Sequence, residues 1–136
     1  MARKKENHRP SELELQVLGI LWEQGQATTR QVLESMPDGK PRAYTTVLSV
    51  MQVMEKKGLL KHSTKGTAHI YRPAVAKKKI MRPFIRRLVD EVFGGRPAAM
   101  MQALLSEAQI SETDLTQVRQ LLKGIDSRKR RKGEPK

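Results

Sequence analysis

Three stretches of helical hydrophobic spacing, then two short β-prone runs around one glycine, then helical spacing again: this order most constrains what the chain can fold into. Ser11-Glu12-Leu13-Glu14 is a capping box, in which the hydroxyl accepts from the Glu14 amide and the carboxylate reaches back to the Ser11 amide. Leu13, Val17, Leu18 and Leu21 follow at helical intervals with Trp22 beside them, and Gly25 is placed to end the helix. Thr28-Thr29-Arg30-Gln31 starts a second, two-turn helix with Val32, Leu33 and Met36 as its apolar face, stopped by Pro37-Asp38-Gly39. A third helix is predicted from Ala43 to Lys57, burying Val47, Val50, Met51 and Met54, with Gly58 at its end. Its start is weakly specified, since Ala43 is a poor cap and Thr45 is the nearest better one. Leu59 to Lys65 and Ala68 to Arg72 read as strands of a hairpin around Lys65-Gly66-Thr67, closed by Pro73. Three helices followed by a hairpin is the winged helix-turn-helix arrangement.

Beyond Val75, a helix carries Ile80, Phe84, Leu88, Val89, Val92 and Phe93 up to Gly94-Gly95. Pro83 interrupts it, so either the regular helix begins near Arg82 or it kinks at the proline. A short helix follows from Pro97 to Leu105, with Met100, Met101, Leu104 and Leu105. Ser111 caps the last one, where Leu115, Val118, Leu122 and Ile125 step by three, four and three residues as a seam. That seam can pack within one chain or against a second one. The fold class is therefore mainly α with a small β-hairpin: a winged helix-turn-helix domain over 11–74 and a helical dimerisation domain over 75–126. Residues 1–10 and 127–136 are expected to be basic disordered arms.

The net charge is +13, which favours a polyanionic partner. It is unevenly placed: residues 11–39 set Arg30 against five acids, whereas residues 40–73 hold seven basic residues against Glu55. With no cysteine and only His8, His62 and His69, far apart in sequence, neither thiolate chemistry nor a metal centre is expected. No nucleophile arrangement, His–acid pair or glycine-rich phosphate loop marks catalytic residues, so neither an enzyme nor a cofactor is expected. No apolar run is long enough to span a bilayer, and a cytoplasmic protein is expected.

In a helix-turn-helix the second helix of the pair enters the major groove of double-stranded DNA, N-terminal residues first. Here that helix offers Tyr44, Thr45, Thr46 and Ser49, with Gln52 further along, and Lys40 and Arg42 precede it where phosphates would lie. Further phosphate donors are Thr28, Thr29 and Arg30 at the start of the second helix, and Lys61, Lys65 and His69 on the hairpin. Each has a plainer reading: threonines as helix-start residues, hairpin lysines as a charged edge that deters strand pairing. The basic residues nevertheless cluster on the elements that would face a duplex. A nonspecific nucleic-acid-binding protein, of nucleoid or RNA-binding type, is the rival, although the chain is only 4% aromatic and RNA readers stack bases on exposed aromatics.

The stretches ELELQVLGILWEQGQATTRQVLE, AYTTVLSVMQVMEKKGLL and KGTAHIYRP, with FGG and the final helical pattern, resemble the penicillinase-repressor family, which includes methicillin-resistance and copper-operon repressors. The resemblance spans about Ser11 to Ile125. It implies a homodimeric repressor on an inverted-repeat operator, regulating an antibiotic-resistance or stress-type operon. It also implies dimer contacts at Phe84, Leu88, Val92, Met101, Leu104, Leu115, Val118 and Leu122, to which the seam adds Ile125, and a membrane-bound sensor protease system as a further partner. The chain departs from that pattern in four places. Val53 replaces a common arginine, and Pro83 is unusual in the fourth helix. The C-terminal cysteines of the copper branch are missing, and Ala103-Leu104 stands where the β-lactam branch is cut at Asn-Phe.

Overall fold

The computed structural model describes residues 10–107 and 109–133, the side chains of 131–133 excepted. Residues 1–9, and with them nearly all of the expected N-terminal arm, lie outside the described residues. The elements run α1 (Glu12–Gln24), α2 (Thr29–Glu34), α3 (Tyr44–Lys56), β1 (Leu60–Lys65), β2 (Ala68–Pro73), α4 (Lys77–Val92), α5 (Pro97–Glu107) and α6 (Glu112–Gly133). Both early capping boxes form. Glu14 N donates to Ser11 Oγ at 3.1 Å and Ser11 N to Glu14 Oε1 at 3.0 Å; the pair Gln31–Thr28 does the same at 3.1 and 2.8 Å. Gly25 ends α1 with φ 89°, a left-handed value that only glycine adopts without strain, and its amide donates to the Leu21 carbonyl at 2.7 Å.

The chain divides into two compact units, Met1–Phe84 and Ile85–Lys136. The first has a core of Val17, Leu18, Ile20 and Leu21 from α1, Val32 from α2, Val47, Met51 and Met54 from α3, and Leu59, Leu60, Ala27 and Tyr71. α3 has no side-chain cap at Ala43 and is held by this stripe, in line with its weak start signal. Its other end is tied by Lys57, whose Nζ lies 2.9 Å from Oε2 of the buried Glu14 on α1. β1 and β2 pair antiparallel from Leu60↔Pro73 to Lys65↔Ala68, so the loop is the two residues Gly66 and Thr67. Gly66 (φ 64°) takes the first central position, as type II′ hairpins require. Ala27, between α1 and α2, adds a one-residue third strand by exchanging both backbone bonds with Tyr71, at 2.9 and 2.8 Å.

Two boundaries differ from the sequence expectation. The first unit extends past residue 74 into α4, because Val75 and Ile80 pack on its core and Trp22 Nε1 donates to the Val75 carbonyl at 3.0 Å. α4 itself begins at Lys77 and continues through Pro83, which has no amide to offer the preceding turn. The C-terminal tail expected to be disordered from 127 is helical to Gly133. Nothing between Ile125 and Lys132 breaks a helix, and Arg128, Lys129 and Arg130 complement the negative end of its dipole.

The second unit is built differently. None of its described residues is buried. Val92 (65% exposed), Leu121 (66%), Met101 and Leu104 (both 54%) face outward. Among the described residues, no helix is long and apolar enough to cross a membrane. The stability of the first unit should therefore respond to its own core. Leu18→Ala is expected to lower its unfolding free energy by about 2–5 kcal/mol. Urea unfolding followed through Trp22, the single tryptophan, measures this, and an unchanged midpoint would refute the core assignment.

Candidate nucleic-acid interface

Burying Val47, Met51 and Met54 turns the opposite side of α3 outward, so Tyr44, Thr45, Thr46, Ser49 and Gln52 are all exposed. An open groove gathers Tyr44, Leu48 and Gln52 of α3 with Thr28, Thr29 and Arg30 at the start of α2 and Thr67, Ala68 and His69 of the hairpin. Three segments distant in sequence thus share one surface. The Arg30 guanidinium lies 5.3 Å from the centre of the Tyr44 ring, a cation–π contact that links α2 to α3 across the groove.

Several expected contacts are placed differently. Thr29 is 3% exposed: it lines the groove from the first turn of α2 but offers little surface there. The capping box uses the Thr28 and Gln31 amides, which reduces the amide donors that a six-residue helix can offer. Arg42 is committed: its two terminal nitrogens meet Asp38 Oδ1 and Oδ2 at 2.9 and 2.6 Å. Asp38 also accepts from the Lys40 amide at 3.1 Å and from Gln16 Nε2 at 3.2 Å, while the Lys40 residue is exposed. On the hairpin, alternation separates the three candidates. His69 shares a face with Tyr71, whereas Lys61 and Lys65 lie on the other face with Arg72.

The sequence reading missed the Asp38–Arg42 pair, the Arg30–Tyr44 contact and a contact between Glu55 and His62, whose Nδ1 lies 2.8 Å from both carboxylate oxygens. The four-residue spacing of Asp38 and Arg42 carried a signal, but a proline–glycine turn is not where such a pair is sought. The other two need the tertiary packing of α2 on α3 and of β1 on α3.

Three helices and an antiparallel hairpin, with a polar helix face beside the hairpin in one groove, define a winged helix-turn-helix domain. The chain belongs to the penicillinase repressor family, whose profile matches residues 10–124. It is 31% identical over 98 residues to the transcriptional regulator BlaI of Mycobacterium tuberculosis, covering 71% of this chain and 69% of that protein. It is 21% identical over 120 residues to the penicillinase repressor of Bacillus licheniformis, covering 88% and 94%. Among solved structures, it is similar to the homodimeric winged helix-turn-helix DNA-binding domain of Mb0332 from Mycobacterium bovis. That match has 22% identity and a TM-score of 0.44, over 62% of this chain and 74% of the other.

Arg42, then the Lys40 amide, holds the Asp38 carboxyl well below the usual carboxylate range. A carboxyl that titrates lower in the folded than in the unfolded chain contributes stability above the unfolded value, and loses it as the pH falls below that value. In Arg42→Ala the Asp38 midpoint should rise toward about 3.9, the ordinary aspartate value. NMR titration of the carboxyl carbon reads this directly; an unmoved midpoint rules out Arg42 as the cause.

Proposed function

We propose that this chain is a sequence-specific, DNA-binding transcriptional repressor that acts as a homodimer on an inverted-repeat operator. The observation that carries the reading is the exposed polar face of α3 in one groove with Arg30 and His69. In this reading α3 enters the major groove, where Thr45, Thr46 and Ser49 meet base edges and thymine methyls, and Gln52 lies further along. Tyr44 is held against a phosphate by Arg30. Thr28, Arg30 and Lys40 supply backbone contacts, with His69 at the hairpin; Lys61 and Lys65, on the other face of the hairpin, add charge beside it. Arg42 keeps the approach to α3 in shape rather than binding phosphate itself. The name of the Bacillus relative supports a resistance-type or stress-type operon as the target.

The dimer is supported by the second unit. An exposed set of Val92, Met101, Leu104, Leu122 and Ile125, with Leu88, Leu115 and Val118 half-buried, has no core of its own to join. Phe84, 39% exposed at the end of the first unit, belongs to the same apolar series along α4. A symmetric pair places two α3 helices in half-sites separated by one or two turns of duplex, about 34 Å per turn.

Selection from a random-sequence pool by the full-length protein should recover an inverted repeat bound far more tightly than its scrambled version. If each subunit neutralises about four phosphates, the log–log salt slope for the dimer should be about −7. Equal affinity for both duplexes would leave a nonspecific nucleic-acid binder in place of a repressor. Leu122→Arg should convert the protein to a monomer in sedimentation and weaken operator binding, while the circular dichroism of the first unit's helices persists. A dimer of undiminished stability would show that α6 is not the contact.

A further inference from the structure

Three ionisable side chains meet at the junction of α3 and the hairpin: Glu55 of α3, His62 of β1 and His69 of β2. His62 Nδ1 is 2.8 Å from each Glu55 oxygen. The His62 ring stacks on that of His69, with centroids 4.2 Å and planes 15° apart. Tyr71 closes the inner side, tilted on His62 at 5.4 Å and edge-on to His69 at 6.3 Å. His69 is the exposed member, and it borders the groove that holds Tyr44 and Arg30. The charged and titratable groups around the stack are therefore Glu55 and Tyr44 from α3, Arg30 from α2 and Tyr71 from β2.

We propose that Glu55 and His62 position His69 as a proton-dependent contact to the DNA backbone, so that the hairpin takes up a proton when a duplex binds. The proposal rests on reading the groove as the DNA surface. A carboxylate at hydrogen-bond distance holds a proton on His62 Nδ1, since that bond is charge-assisted. A second proton, on His69, sets two positive rings face to face, with the Arg30 cation bordering the same groove. In this scheme the second proton is the one that a bound duplex adds. A phosphate at the exposed edge of His69 supplies the negative charge that offsets the second one. Imidazole changes charge between about pH 5 and 8, and histidine is among the side chains drawn to the negative potential of a narrow minor groove. A lysine at this position would bind phosphate at every physiological pH; the stacked histidine binds it conditionally. His62 and Glu55 touch no DNA in this scheme and act only through His69.

The test is the affinity of the full-length protein for the duplex recovered by selection, measured from pH 5 to 8 at constant ionic strength. Wild-type affinity should fall as the pH rises, by up to about tenfold per pH unit per subunit for one linked proton. His69→Gln should flatten the profile. His62→Gln removes the opposing cation, so His69 accepts its proton more readily and the fall should move to higher pH. A merely structural role for His62 would weaken binding without moving that midpoint. A flat wild-type profile, a His69→Gln profile matching wild type, or an unmoved His62→Gln midpoint would each overturn the proposal. Thermal melts at each pH separate unfolding from lost binding. If selection enriches no sequence, the repressor reading fails by itself, and the same pH series on a random-sequence duplex still decides the role of His69.

Discussion

The surface on which the functional reading rests exists because α3 is pinned along one stripe. Val47, Met51 and Met54 are fully buried, against Val17, Leu18 and Leu21 of α1 and the start of β1. Burying side chains of this size contributes about 1.5–3 kcal/mol each. Rotating a 13-residue helix by one residue's worth of turn would expose part of that stripe and press Thr46 or Gln52 into an apolar core without partners. The polar face has no freedom to turn inward. The Glu14–Lys57 pair and the Leu59 amide, which donates to the Met54 carbonyl at 2.9 Å, fix the far end, so the helix presents its N-terminal half at a set angle to the hairpin.

Net charge overstates what this surface can offer a polyanion. Of the basic residues that flank α3, Arg42 is bidentate to Asp38 and Lys57 is paired with Glu14, while Lys61 and Lys65 lie on the hairpin face opposite that of His69. Arg30, Lys40 and His69 remain exposed on or beside the candidate surface. In the proposed repressor, phosphate contacts of this kind position the protein while base contacts specify. A protein selected for indiscriminate binding would gain from leaving Arg42 unpaired.

Most of the fold was legible in the sequence because its signals are local. The capping boxes at Ser11 and Thr28, the stops at Gly25 and Pro37-Asp38-Gly39, and the 47/50/51/54 stripe each act within a few residues, and the helices form where these place them. The turn glycine at 66 likewise set the hairpin. What escaped the reading depends on neighbours distant in sequence. The Ala27–Tyr71 bridge, the burial of Thr29 and the first turns of α4 joining the first unit all follow from packing of elements onto one another. The faces of the hairpin were accessible in principle, since a two-residue loop fixes the register. Grouping Lys61, Lys65 and His69 by charge overlooked the alternation that separates them. The longer α6 has another cause: a run of charged residues resembles a disordered tail, although arginine and lysine are good helix formers and cations suit a helix's C-terminal end.

The two units also differ in what their stability depends on. The first has a closed core, so its fold and its groove are properties of one chain. The second buries no described residue, so whatever covers Val92, Met101, Leu104 and Leu122 contributes to its stability by mass action. In the proposed repressor that cover is the second copy, and the consequence is quantitative. A single groove engages few phosphates and a short run of bases, which limits affinity, whereas two grooves on one assembly bind with the effective concentration of a tethered pair. Operator occupancy then follows protein concentration more steeply than one-site binding would, because the association that completes the second unit also supplies the second α3.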